Sequence, residues 1–369
     1  MRNFLKRLFH VNNIKQFYDK YERHIGAFTV LLGFVFDNLT LRDASISAQT
    51  TVFLVYLLLC AISIILLHII ESSEKGKVGY GKSHFWTFML MQFTIGSLFS
   101  MFFVFYSRGV SIATSWPFLL LLILNMVSTE VFKKYYSRLS LQVTLLFIAV
   151  YSFFIYVVPV LMHEMSIRVF VLSGVLAVLS IAVFVHALIL ISRDRVKEWR
   201  VRIIIGVSVV LVLINTFYLT GVIPPVPLVM KKVGVYHSLA WDGVSMYVVS
   251  GEAKPWWGFL DSYPTYHHAP NDSIYVIAAV YAPTALATTI IHDWQYFDPL
   301  TNSWQSTARI RVPIVGGRED GYRTYSMKQS VQPGKWRVDV KTSLGQIIGR
   351  VRFEVVPDNE SYEIIKDTY

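Results

Sequence analysis

The chain changes its hydrophobic rhythm once. Up to residue 225 the apolar side chains come in long unbroken runs, and beyond it they alternate with polar ones. Seven runs fall at 25–41, 51–70, 85–106, 114–132, 141–161, 167–192 and 201–224. Each is near the roughly 20 residues that cross a bilayer as a helix. They predict an α-helical transmembrane bundle of about seven helices over 25–225, with a polar cytoplasmic segment at 1–24 ahead of it. Pro224, Pro225 and Pro227 end the last helix, because proline cannot continue the backbone hydrogen-bond ladder. Lys231 and Lys232 follow where the lipid headgroups are expected.

Past this point apolar residues occupy every second position. Ile310, Val312 and Ile314 alternate with Arg309 and Arg311; Trp336, Val338 and Val340 with Arg337, Asp339 and Lys341; Val351, Phe353 and Val355 with Arg350, Arg352 and Glu354. Each pattern is that of a half-buried strand. Further strands are expected near 234–240, 245–250, 274–281 and 286–292. Gln332-Pro333-Gly334-Lys335 and Ser343-Leu344-Gly345-Gln346 supply turns between them. Seven to eight strands at this spacing predict an all-β, immunoglobulin-like antiparallel sandwich over 226–369.

Charge changes this picture by giving it a direction. The formal net charge is +10, yet residues 1–225 carry 20 Lys+Arg against 10 Asp+Glu, whereas residues 226–369 carry 14 of each. The whole excess lies in the helical half, so a basic nucleic-acid footprint on a soluble domain is excluded. Assigned alternately, the loops of one side hold 17 basic residues and those of the other only Arg42, Arg108 and Arg168. Basic residues collect on the cytoplasmic side. The N-terminus is therefore expected inside and residue 226 onward outside. A mean hydropathy of +0.48 and 54% hydrophobic residues agree with a membrane class. The first 24 residues are polar and mixed in charge, which no cleavable signal would be. Cys60 is the one cysteine, so no intrachain disulfide and no thiolate metal site can form.

His292-Asp293-Trp294, Gly316-Gly317-Arg318, Gly321-Tyr322-Arg323, Ser326, Gly334-Lys335-Trp336-Arg337-Val338, Gly345, Gly349-Arg350 and Phe353 form a spaced Gly, Trp and Arg pattern. Over 292–356 it resembles the bacterial DUF 2914 family, a C-terminal module of unknown function that follows membrane helices in envelope proteins. The resemblance implies a bacterial inner (plasma) membrane protein with a periplasmic domain, and it carries no catalytic residue across.

Candidate chemistry gathers in four places. In the loop 254–270, Trp256, Trp257, Phe259, Tyr263 and Tyr266 can pack on the domain, anchor at the membrane interface, or stack on sugar rings. Around Arg318 and Arg323 a glycine loop offers backbone N–H groups to an anion, or is only a strand connection. On the solvent side of the strands, Arg309, Arg311, Arg337, Lys341, Arg350 and Arg352 outnumber Asp339 and Glu354. That face suits an anionic glycan, a lipid headgroup or an acidic protein, or is a salt-bridged surface with no ligand. His237, His267, His268 and His292, with Asp261 or Asp272, match no metal-ligand spacing, so neither metal nor cofactor is expected. The ligand-binding candidates are Trp256, Trp257, Tyr263, Tyr266, His292, Trp294, Arg318 and Arg323. The leading expectation is a non-enzymatic binding module held by membrane helices. An alternative is an outer-leaflet transferase or hydrolase acting on a lipid-linked substrate through Asp37 and Asp43, with His163 and Glu164. A transporter or channel is a further one, although the helices are not broken by Gly or Pro at corresponding places.

Overall fold

A computed structural model describes residues 46–73, 82–109, 138–223, 225, 227–243, 246–253, 263–269, 272–318, 320–358 and 362–369. Among them are five helices, α1 (Ile46–Ser73), α2 (Lys82–Gly109), α3 (Leu139–Met162), α4 (Ile167–Ile191) and α5 (Arg193–Leu219). All five are long and apolar enough to cross a membrane, and each overlaps one of the runs read from the sequence, α5 ending at Leu219, short of the expected 224. The other two runs, 25–41 and 114–132, and the segment 1–24 lie outside the described residues, as do Asp37 and Asp43.

The chain divides into two compact units. In the first, α1, α2 and α3 meet through aromatic packing, with Phe53 at 5.0 Å from both Phe102 and Phe153. Small residues let backbones approach, as they do in membrane bundles: a Cβ on Gly174 would come within 2.9 Å of the Tyr151 hydroxyl, and one on Gly206 would collide with Thr144. Helices α4 and α5 turn Val171, Val175, Val183, Leu190, Val201 and Val212 outward. Several polar residues that lie inside are bonded, while the Ser97 and Ser100 hydroxyls are buried without a partner among the described residues. His68 Nε2 sits 2.9 Å from Gln142 Oε1, and Glu71 pairs with Arg195 and with His84 at 3.2 Å.

The second unit takes in residues 158–170 and everything from Thr216 onward. Its helical ends are capped locally. Ser166 Oγ accepts from Val169 N–H at the start of α4, and Gly221 at φ +72° closes α5, with Val222 N–H on Phe217 O at 2.9 Å. Among the described residues eleven strands follow: β1 (Val229–Tyr236), β2 (Ser238–Trp241), β3 (Tyr247–Glu252), β4 (Thr265–His268), β5 (Ile274–Tyr281), β6 (Ala287–Asp298), β7 (Ser303–Val315), β8 (Tyr322–Lys328), β9 (Gly334–Thr342), β10 (Ile347–Pro357) and β11 (Ile364–Thr368). They form three sheets, ordered β1-β5-β8, β4-β10-β9-β6-β7 and β11-β3-β2. The first lies between the others. Ala278, Val280 and Val276 pack on Ile290, Val340, Trp294 and Phe353 of the five-stranded sheet, while Ile277 and Ala279 meet Val249 and Tyr369 on the other side. Strand β5 is thus covered on both faces, which accounts for its continuous apolar run.

Two expectations change. The sheets are not wholly antiparallel, because β4 runs parallel to β10. Strands β4, β8 and β11 were not legible as alternating apolar runs. In β8 the inward positions are Thr324 and Ser326, whose hydroxyls meet a buried histidine, so hydropathy alone conceals that strand.

Candidate functional site

The outer face of the five-stranded sheet carries the charges that the alternation placed there. Strand register sets Asp293 opposite both Arg309 and Asp339, Asp339 opposite Arg350, Gln295 opposite Arg337, and Arg337 opposite Arg352. The side chains therefore stand in rows across the sheet, close enough to interact.

One end of the face is neutralised. Asp339 is 1% exposed and holds Arg350 through both its oxygens, the second bond measuring 2.8 Å. Asp293 accepts from Lys341 Nζ, Ser306 Oγ and Gln295 Nε2, each at 2.6 Å. Burial opposes ionisation of Asp293, but the Lys341 ammonium and the neighbouring hydroxyl and amide outweigh it and hold the carboxyl below its usual range.

The other end is not. Arg337 donates Nε–H to Gln295 Oε1 at 2.7 Å, and its guanidinium carbon lies 4.3 Å over the Trp304 ring. Lys335 Nζ lies 5.3 Å and Arg352 5.8 Å over the Tyr263 ring. Tyr263 and Trp304 are parallel to within 7° with centroids 6.3 Å apart. Among the described residues, none of Lys335, Arg337 and Arg352 is within 4.0 Å of a carboxylate, and Arg352 Nε is buried without a hydrogen-bond acceptor. Glu354 stands opposite Lys335 in the register. Burial, with the Arg350 guanidinium nearby, lowers the proton affinity of Arg337 below that of an ordinary arginine. Three cations and two ring faces can together receive an anion attached to a flat, partly apolar group.

The sequence candidates separate on this map. Tyr263 reaches the basic face, whereas Tyr266 is 4% exposed and sits in the core with Phe353 at 6.0 Å. Trp256 and Trp257 lie outside the described residues. His292 and Trp294 are wholly buried: His292 faces Ser326 Oγ at 2.8 Å and Thr324 Oγ1 at 3.1 Å, and Trp294 Nε1 donates to Ser326 Oγ. Both are interior packing groups, and burial pushes His292 down to about 4. The glycine loop is a strand connection. Gly316 and Gly317 N–H groups are taken by Leu286 and Ala282 carbonyls, and Gly316 lies so close to Pro283 that a side chain has no room. Arg318 instead rests over Tyr322 at 5.6 Å, while Arg323 belongs to β8 opposite Ala279. His163 and Glu164 are engaged by Ala287 at the start of β6, through the His163 carbonyl and an isolated bridge.

The histidines form a pair, not a quartet. Glu252 lies 3.1 Å from His237 Nε2 and 3.0 Å from His267 Nδ1, with Tyr362 stacked on His237 at 5.4 Å and on His267 at 4.6 Å. His268 faces Asp272 O, and His292 is elsewhere. Among the described residues no group of three or more His, Cys, Asp or Glu side chains is arranged to hold a metal ion.

Trp304, Asp293, Gln295 and Lys335 were missed as site residues. Trp304 follows a turn in which Asp298 Oδ1 accepts from Leu300 N–H, and the hairpin register sets it opposite Phe297. That parity, once β6 is extended to Asp298, is the signal for Trp304.

Residues 287–355 match the model of a family described as a protein of unknown function, DUF2914. The match begins at β6 and ends in β10, so it contains every residue of the basic face except Tyr263. No curated protein matches. Among solved structures, a β-glucosidase from Listeria innocua in complex with gluconolactone is similar over 34% of this chain and 16% of its own, at 12% identity and TM-score 0.18. Alkylpurine DNA glycosylase AlkC from Pseudomonas fluorescens, bound to DNA containing an abasic site analog, is similar over 83% of this chain and 98% of its own, at 10% identity and TM-score 0.20. Likenesses this slight bear on neither fold nor activity.

Proposed function

We propose that this chain is a bacterial inner-membrane protein with a cytoplasmic N-terminus and about seven helices, presenting an immunoglobulin-like β domain in the periplasm. The β domain binds an anionic envelope partner and carries out no chemistry. The observation behind this is the uneven face of the five-stranded sheet, where Lys335, Arg337 and Arg352 surround two aromatic rings with no carboxylate partner among the described residues. Sidedness is supported by the unit boundaries. The loop after α3 and the end of α5, which charge assigns to the outer side, share a unit with the strands, and Gln346 Nε2 donates to Tyr218 O at 3.3 Å.

The test compares the full chain in detergent with its Arg337→Gln/Arg352→Gln variant on dextran sulfate and on uncharged dextran. Retention on the charged matrix alone, with the variant eluting at clearly lower salt, is the expected result. Co-elution of the two proteins would assign retention to the basic loops of the helical half and remove the site. Sidedness has a separate check, because Cys60 is buried and Leu300 is 96% exposed. In intact cells with a permeabilised outer membrane, Leu300→Cys is expected to react with a membrane-impermeant maleimide; labelling only after lysis would place the domain inside.

A further inference from the structure

We infer that the neutralisation-poor end of the sheet is a subsite for an acidic pyranose, a sugar ring bearing a carboxylate or phosphate within an anionic polysaccharide. This rests on the proposed anion-binding face and narrows it to one class of ligand. Two features of the site ask for different parts of one molecule. The parallel rings of Tyr263 and Trp304 offer flat apolar surface of the kind that stacks against the C–H face of a sugar. Around them, Arg337 and Arg352 offer fork-shaped donors that match a carboxylate or phosphate, and Lys335 adds a point charge.

Arg337 is held for this role. Its Nε bond to Gln295 fixes the guanidinium against Trp304, so binding costs little side-chain freedom. Arg352 supplies a second sign of a missing acceptor, because its buried Nε–H has no partner among the described residues, and such donors are rare unless a water, ion or ligand completes them. The same face disfavours the other anions. An acidic peptide reaches cations with flexible carboxylates and has no use for two parallel rings. A lipid headgroup needs charge alone. The neutralised end, where Asp293 and Asp339 already hold Lys341 and Arg350, leaves those two cations less free to take up an anion. The geometry points to entry at the Tyr263–Trp304 end.

Calorimetric titration of the detergent-purified full chain would use four probes: oligogalacturonate, a neutral maltooligosaccharide of equal length, polyglutamate, and phosphatidylglycerol vesicles. Oligogalacturonate is expected to bind and the neutral sugar not to. Trp304→Ala should weaken oligogalacturonate about tenfold, the loss expected for one stacked ring, while changing polyglutamate by less than about twofold. Trp304→Phe, which keeps a ring, should restore most of the affinity and guards against misfolding as the cause. Equal binding of polyglutamate and oligogalacturonate, both indifferent to Trp304→Ala, would overturn the sugar subsite and leave the anion-binding face standing. Vesicle binding that exceeds both would assign the face to headgroups and likewise overturn it. If Arg337→Gln/Arg352→Gln leaves every probe unchanged, the anion-binding face fails with it.

Discussion

Two ends of one sheet face, built from the same alternation of arginine, lysine and apolar residues, have opposite electrostatic fates. Around Asp293 and Asp339 the strand register brings acids level with Arg309 and Arg350 and within reach of Lys341 on the diagonal, and the charges are used up in the fold. One row further along, the register offers Arg337 only Gln295 and Arg352. The lesson is that a basic face is not read by counting charges. What matters is which residue stands opposite each of them on the neighbouring strand, since carboxylates that are buried and paired hold their partners, while cations with only rings and amides beside them keep their charge for something else.

The sharpest contrast lies in stability. Replacing Asp339 by alanine leaves Arg350, 11% exposed at its side chain, without its counter-charge. A loss of about 3–5 kcal/mol is expected, the usual cost of breaking a buried pair from one side. Urea unfolding of the β domain, followed by tryptophan fluorescence in the detergent-solubilised chain, would measure it; a loss below about 1 kcal/mol would mean that the pair is solvated after all.

Acid gives the next largest effect. His292 is buried without charge, its folded value lowered from 6.5 to about 4. A base held neutral in this way stabilises the fold above its unfolded value, and that contribution is lost as pH falls from about 6.5 toward 4, by about 3 kcal/mol in total. His292→Gln should be less stable at pH 7 and should flatten this slope. Asp293 adds a smaller acid sensitivity of the same sign, because its depressed carboxyl stabilises at higher pH and stops doing so when protonated.

At the open end the expectation reverses. Arg352→Gln removes no ion pair seen among the described residues, so stability should change by less than about 1 kcal/mol, while binding to dextran sulfate weakens. Arg350→Gln should do the opposite. A pair of variants with similar melting points and similar elution would erase the difference between the two ends.

Much of this was legible in the sequence. The five described helices overlap predicted runs because a long stretch apolar on every side is a signal that needs no partner to be read. The basic face was legible because period-two alternation fixes which side chains share a side, and Arg309, Arg337, Lys341, Arg350 and Arg352 do share one. Pairing across strands was not legible, since register depends on a bulge between Trp294 and Gln295 and on hairpins whose length the sequence left open. His292 and Trp294 are ligand-binding candidates on the sequence, as part of the spaced Gly, Trp and Arg pattern. Inside the domain their edges are met by Ser326 and Thr324 from a strand that polar side chains had hidden. Tyr263 and Tyr266, three apart in the same aromatic loop, end on opposite faces of the sheet for the simplest reason, the entry of β4 between them.

Amide hydrogen exchange on the full chain in lipid nanodiscs, with and without oligogalacturonate, tests the central claim most directly. Slowed exchange confined to the start of β9 around Lys335 and Arg337, the part of β10 around Arg352, and the β7 segment at Trp304 is the predicted result. Protection centred on Asp293 and Asp339 or on the loop at Gly316–Gly321, or no change anywhere in the strands, would contradict it.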